Sequence, residues 1–183
     1  MTDQPPGVTA ISVRNATVAD AEKLTRLGRR TFKDTFGPDN DAENMRLYAD
    51  TAFTVERIRA ELQDPANTFL LACSNNADEP VGYAKLCRST SEESVEGPAP
   101  VELQRIYVDS AAQGTGAGAL LMQRCIEIAT FEGFGTLWLG VWEHNQKAIG
   151  FYRRWGFAPV GSHVFQLGTD PQTDIVMERA LGR

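Results

Sequence analysis

The feature that most constrains this chain is the run Gln113-Gly114-Thr115-Gly116-Ala117-Gly118-Ala119. It follows VELQRIYV (residues 101–108), which reads as a strand, and it opens a helical stretch over 117–132. LWLGV (137–141) follows as an apolar strand. Strand, loop, helix and strand in that order form a βαβ unit, whose two strands run parallel. Glycines in the connecting loop let backbone N–H groups approach a ligand, and the helix N-terminus favours an anion. A phosphate or pyrophosphate is the natural guest; a glycine-rich turn with no ligand is the plainer alternative. A dinucleotide fingerprint fits poorly, because residues 109–113 separate the strand from the first glycine and the unit lies late in the chain. A phosphate-binding P-loop is rejected, since no lysine follows Ala119.

The flanks complete the fold class. Residues 11–15 read as a first strand, and Thr17 with Asp20 caps a helix whose Leu24, Leu27, Gly28, Thr31 and Phe32 share one face. Phe36-Gly37-Pro38 ends it, and residues 41–52 and 54–63 read as two more helices. Strands at 69–73 and 81–87, joined by a turn over 75–80, form a hairpin, and 89–100 reads as an exposed loop. The helix from 117 points Leu120, Leu121, Cys125, Ile128 and Ala129 inward; a helix over 145–155 stops at Gly156; strands at 157–167 and 173–180 close the chain. This is an α/β (α+β) chain with a mixed, mostly antiparallel sheet of about seven strands. Residues 1–10 are expected to be a disordered lead-in, and 11–183 a single domain.

Composition removes several function classes. A net charge of −6 disfavours non-specific nucleic-acid binding. No apolar run reaches the ~18 residues a membrane span needs, and MTDQPPGVTA lacks the basic and apolar regions of a signal peptide. Cys73, Cys87 and Cys125, with His144 and His163, show no metal-ligand spacing, so no metal is expected. An odd cysteine count suits a reducing compartment, hence the cytoplasm.

Q-x-x-G-x-G after a strand ending in RIYV resembles motif A of the GNAT superfamily of N-acetyltransferases. Asn145, Ala148, Phe151-Tyr152 and Trp155-Gly156-Phe157 are similar to that family's motif B. TFKDTFGPDNDAENMRLY, LWLGVWEHNQKAIGFYRRWGF and GSHVFQLGTDPQTDIVM look like its PaiA branch, whose members acetylate spermidine and spermine. The resemblance implies the GNAT fold, with a splayed parallel pair of central strands, and acetyl-CoA as co-substrate. It implies acetyl transfer to a primary amine by direct attack in a ternary complex. A polyamine leads among acceptors, with peptide or protein amines, or a non-catalytic acetyl-CoA-binding regulator, as alternatives. The late strands of such folds pair across dimers, so a homodimer is an expectation too.

The same resemblance assigns residues. The backbone of Ile106, Tyr107 and Val108 would receive the pantetheine arm. Gln113, Gly114, Thr115, Gly116, Ala117, Gly118 and Ala119 would hold the pyrophosphate, with Lys147 supplying the charge that this loop lacks. Asn145 would bond the pantetheine and Tyr152 would face the thioester sulfur. A phenol with a pKa near ~10 can hand a proton to a thiolate whose conjugate acid is near ~8.5, so Tyr152 is the expected general acid. Glu102 matches a catalytic glutamate of some relatives and would act as base through a water; an ion pair with Arg105 is its alternative. Asp39, Asp41 and Glu43 in one loop, and Glu92, Glu93 and Glu96 in another, would draw a cationic acceptor. His163, in a late strand, can reach the acceptor side.

Overall fold

The computed structural model describes residues 10–74 and 79–182. The lead-in before residue 10 and the centre of the 75–80 turn lie outside the described residues. The elements are β1 (Ile11–Asn15), α1 (Ala21–Phe36), α2 (Ala42–Ala52), α3 (Val55–Gln63), β2 (Asn67–Ser74), β3 (Pro80–Cys87), β4 (Pro100–Val108), α4 (Ala117–Phe131), β5 (Thr136–Trp142), α5 (Gln146–Arg154), β6 (Ala158–Leu167) and β7 (Asp170–Ala180). A short 3₁₀ turn, Val18–Asp20, precedes α1. There the Asp20 carboxylate accepts from Thr17 N at 2.9 Å and from both Arg14 terminal nitrogens at 2.7 and 2.8 Å. The Thr17–Asp20 pair thus forms the capping box, one turn before the α-helix proper.

One sheet of seven strands, ordered β1-β2-β3-β4-β5-β7-β6, carries the fold. Among the described residues only β4 and β5 pair in parallel, over just Pro100↔Thr136, Val101↔Leu137 and Glu102↔Trp138. Beyond Glu102, β4 stays with β3 as far as Gly82↔Val108, while β5 stays with β7 as far as Trp142↔Asp174. The sheet therefore opens as a fork. Its cause lies in β4, where Lys85↔Arg105 is followed by Leu86↔Leu103, so Gln104 is an extra residue. A bulge bends its strand and raises the local twist, and this one begins two residues after the last β4–β5 pair.

Alternation along the strands sorts side chains into two cores. Leu70, Ala72, Ala84, Leu86, Val101 and Leu103 pack with Leu121, Met122 and Cys125 of α4 and with Tyr152 of α5. Phe69, Leu71 and Tyr83 pack with Leu24, Leu27 and Phe32 of α1 and Ile58 of α3. We call these the α4/α5 face and the α1–α3 face. Two sequence expectations are corrected here. Leu120 is 39% exposed and Met122, at 0%, takes the inward position, because the helix rotates its glycine-rich first turn towards the fork. Cys73, in a strand-like run that reads as buried, is only half-buried. The 89–100 loop also lies against the sheet rather than free of it. Thr136 Oγ1 donates to Pro98 O, and Glu92 meets His163.

Candidate active site at the fork

The glycine loop stands at the mouth of the fork on the α4/α5 side. Gly114 and Gly116 have φ of +82° and +91°, left-handed values that only glycine adopts at little cost. A Cβ at either would meet nothing within 4 Å, so the loop faces open space. Gly116 is the N-cap of α4, and Leu120 N to Gly116 O is the first helical bond. The N–H groups of Ala117, Gly118 and Ala119 precede that bond and point outward at the positive end of a helix of 15 residues. Thr115 Oγ1 donates to Ala112 O at 2.7 Å, which orients its lone pairs rather than leaving the hydroxyl to donate outward. Lys147 Nζ donates to Gln113 Oε1, so α5 brings a cation to a loop whose own residues have none.

Ile106, Tyr107 and Val108 bond β3 on one edge only, since β5 has turned away on the other. That leaves an open strand edge leading from the loop into the fork. Asn145 caps α5, its Oδ1 accepting from Ala148 N at 3.1 Å, which leaves its amide nitrogen to donate. Tyr152 lies on the same helix, 8% exposed, against Phe151 and Phe157. Burial first, and the charge of Asp174 second, push its phenol well above the ordinary value. A Cβ at Gly118 would meet Val108 of β4 at 3.6 Å and Phe151 of α5 at 3.9 Å, so α4, β4 and α5 converge here.

The α1–α3 face is polar where it borders the gap. Glu102 sits at the closed end, 9% exposed, with Gln104 Nε2 donating at 3.2 Å. Burial raises its carboxyl, and the neighbouring Thr90 and Gln104 offset part of that rise. The ion pair with Arg105 does not form. Arg105 and Lys85 both bind Glu61 of α3, at 2.9 and 3.0 Å. Burial works against the charge on Glu61, but Arg105 and Lys85 outweigh it and hold the carboxyl below its usual range. Trp138, the register partner of Glu102, has a buried Nε1 without a protein partner among the described residues. Such a donor is a place for a bound water.

Further out, Asp39, Asn40 and Asp41 before α2, Glu143 and His144 after β5, and Asp170 at the β6–β7 turn line a cleft of about 350 Å³. Four carboxylates border it. Asp39 and Asp41 are thus brought to the fork, whereas Glu43 is engaged with Arg46 at 2.6 Å on the surface of α2. Glu92 is bonded to His163, and Glu93 and Glu96 remain exposed. The sequence reading missed Asp174. It gains its place from the β5–β7 register, opposite Trp142, and no motif around it announces that. Burial pushes its carboxyl up to about 6.

The sequence profile of the acetyltransferase (GNAT) family matches residues 29–157. An uncharacterized N-acetyltransferase of the pepI 3′ region of Lactobacillus delbrueckii subsp. lactis is 32% identical over 174 residues, which is 95% of this chain and 99% of that protein. The peptidyl-lysine N-acetyltransferase YjaB of Escherichia coli is 28% identical over 86% of this chain and 90% of its own. Among solved structures, the PaiA N-acetyltransferase of Thermoplasma acidophilum in complex with coenzyme A superposes with a TM-score of 0.74, at 20% identity, over 93% of this chain and 99% of that one.

Proposed function

The chain belongs to the GNAT family of acetyltransferases, and on that premise we propose that it transfers the acetyl group of acetyl-CoA directly to a primary amine in a ternary complex. A polyamine of the spermidine or spermine type is the leading acceptor. One observation carries this reading. The fork leaves one edge of β4 open beside a glycine-rich loop at the N-terminus of α4, a buried tyrosine stands on α5, and an acidic cleft lies beyond the end of β5.

The residues fit a CoA ester. The N–H groups of residues 114–119 and the Lys147 ammonium suit a pyrophosphate. The main chain of Ile106, Tyr107 and Val108, with the Asn145 amide, suits a peptide-like arm laid along a strand edge. Bound there, acetyl-CoA supplies an activated acetyl thioester. Tyr152 gives its phenolic proton to the departing thiolate; burial keeps the phenol protonated until that moment. Glu102, through a water beside Trp138, takes a proton from the attacking nitrogen. Backbone N–H groups near Val108 polarise the thioester carbonyl.

The four carboxylates of the outer cleft support a cationic acceptor. The likeness to YjaB favours a second reading, in which the amine is a lysine side chain of a peptide or protein. Free cysteines at positions 73, 87 and 125 suit the cytoplasm. The outer strand β6 supports pairing of two copies along its unpaired edge.

Acetyl-CoA-dependent release of free thiol tests the proposal, with spermidine, spermine, diamines, lysine peptides and amino acids as acceptors and a no-acceptor blank. Saturable release with polyamines supports it. Release with lysine peptides alone moves the assignment to the second reading. Binding of acetyl-CoA with no turnover on any amine makes the protein a sensor instead.

A further inference from the structure

The α1–α3 face holds a proton-handling group that the roles above leave unused. His163 of β6 stands between two carboxyls. Its Nδ1 is 2.9 Å from Glu92 Oε2, and its Nε2 is 3.8 Å from Asp174 Oδ2. Side-chain exposure is 32% at His163, 17% at Glu92 and 14% at Asp174, so solvent reaches the chain mainly through the imidazole. Gly140 permits the arrangement. A Cβ there would be 3.0 Å from His163 Nε2 and 3.3 Å from Asp174 Oδ2. Gly140 lies on β5 beyond its last pair with β4. The imidazole and carboxyl therefore lean across β5 onto the rim of the fork. Asp174 is the register partner of Trp142, two residues past Gly140, and Glu102 is the register partner of Trp138, two residues before it, so the side chains share one face of the sheet. The cluster thus stands on the face that carries Glu102, at the open end of the fork.

An ammonium acceptor loses two protons in becoming an amide, and the reaction as a whole releases one. The nitrogen must shed its first proton before its lone pair can attack. It sheds the second as the C–N bond forms and the C–S bond breaks. One of the two replaces the proton that Tyr152 gives to the CoA thiolate, and the other must leave the protein. We infer that Asp174 takes the first proton from the bound ammonium and releases it to solvent past the His163 ring, and that His163, bonded to Glu92, positions the Asp174 carboxyl electrostatically from 3.8 Å. The second, taken at the water of Glu102, restores Tyr152. This division rests on the acetyl-transfer reading above, and within it Asp174 is a catalytic residue and His163 a positioning residue.

The electrostatics agree with the geometry. Asp174 is faced by His163 from β6, Tyr152 from α5 and Tyr48 from α2; His163 is faced by Glu92 from the 89–100 loop and by Glu102 from β4. Burial lifts the Asp174 carboxyl to about 6 while His163 pulls it down. It is then ionised at neutral pH and still basic enough to accept a proton. Loss of His163 removes the downward pull.

The test is the pH profile of kcat/KM for thiol release with spermidine and with a lysine peptide. It is measured for wild type, Asp174→Asn, Asp174→Glu, His163→Gln and Glu102→Gln, with acetyl-CoA binding and thermal unfolding as controls on folding. The expected result is an acidic limb near pH 6 in wild type. Asp174→Asn should lose that limb and about a hundredfold or more in rate, with part of the rate restored in Asp174→Glu. His163→Gln should move the limb to higher pH. A folded Asp174→Asn variant with wild-type rate and limb overturns the inference, as does His163→Gln with its limb unmoved. A wild type that binds acetyl-CoA yet acetylates neither amine overturns the functional reading, and this inference with it; an active wild type with an unimpaired Asp174→Asn overturns this inference alone.

Discussion

On the α4/α5 side of the fork, the groups offered to a ligand come from residues 106–152 and are largely main chain: the open edge of β4, the first turn of α4, and the cap of α5. On the α1–α3 side the contacts join remote parts of the chain. Glu92 meets His163 across 71 residues, Asn44 meets Thr169 across 125, and Asn40 meets Gln172 across 132. The difference separates two tasks. A group that is the same in every turnover can be held by backbone, which depends on conformation more than on side-chain identity. On the proposed function an acceptor is discriminated by side chains, which the α1–α3 face offers as carboxylates, and the geometry of that face depends on the whole fold being assembled.

The contrast can be broken at its centre first. Tyr152→Phe should lower kcat about a hundredfold or more, because the departing thiolate loses its proton donor. Acetyl-CoA binding, followed by calorimetry, should stay within about twofold, since the phenyl ring fills the same core position. An unchanged kcat removes the general-acid role.

The donor side alone should respond to Gly116→Val. A β-branched residue at φ +91° costs about 1–3 kcal/mol of backbone strain. That should raise the acetyl-CoA Kd about tenfold or more while the acceptor KM at saturating acetyl-CoA stays put. An equal rise in both constants would mean that the two faces do not act separately.

Asp39→Asn combined with Asp170→Asn addresses the acceptor side, where both line the outer cleft. The spermidine KM should rise about severalfold, and its salt dependence should weaken, with a smaller effect on a monoamine. Equal effects on both amines would separate this cleft from recognition of the second cation.

The smallest effect should come from Asp20→Asn, remote from both faces. Arg14 first, and Thr17 after it, hold the Asp20 carboxyl at about 2 against an ordinary 3.8. A carboxyl lowered on folding stabilises above its unfolded pKa, and that contribution is lost as pH falls through the folded value. Wild type should therefore lose about 2 kcal/mol between pH near 4 and pH near 2 on this account. The variant should be less stable at pH 7 and flatter across that window, with its kinetics unchanged.

Legibility in the sequence follows the same division. The glycine loop, the Thr17–Asp20 box and the helix from Asn145 to its stop at Gly156 each depend on neighbouring residues, so local pattern located them. Leu120 was misread because periodicity alone cannot say which edge of an apolar stripe meets the sheet. The Glu102–Arg105 pair, an alternative that the sequence left open, does not form because of the bulge at Gln104 and the competing carboxylate of Glu61 on α3, neither of which their spacing in the strand registers. Asp174 was not read at all. An aspartate between Thr173 and Ile175 has no distinguishing neighbours until β7 is laid against β5.

The sequence by itself determined the βαβ unit, the mixed sheet and the glycine-rich loop, because backbone conformation at glycines, caps and alternating strands is set within a few residues. Only the tertiary structure decided the fork, the company of Glu102, and the cluster of Glu92, His163 and Asp174. Those depend on strand register and on which buried charges share a partner, and both are settled when distant segments compete for the same space.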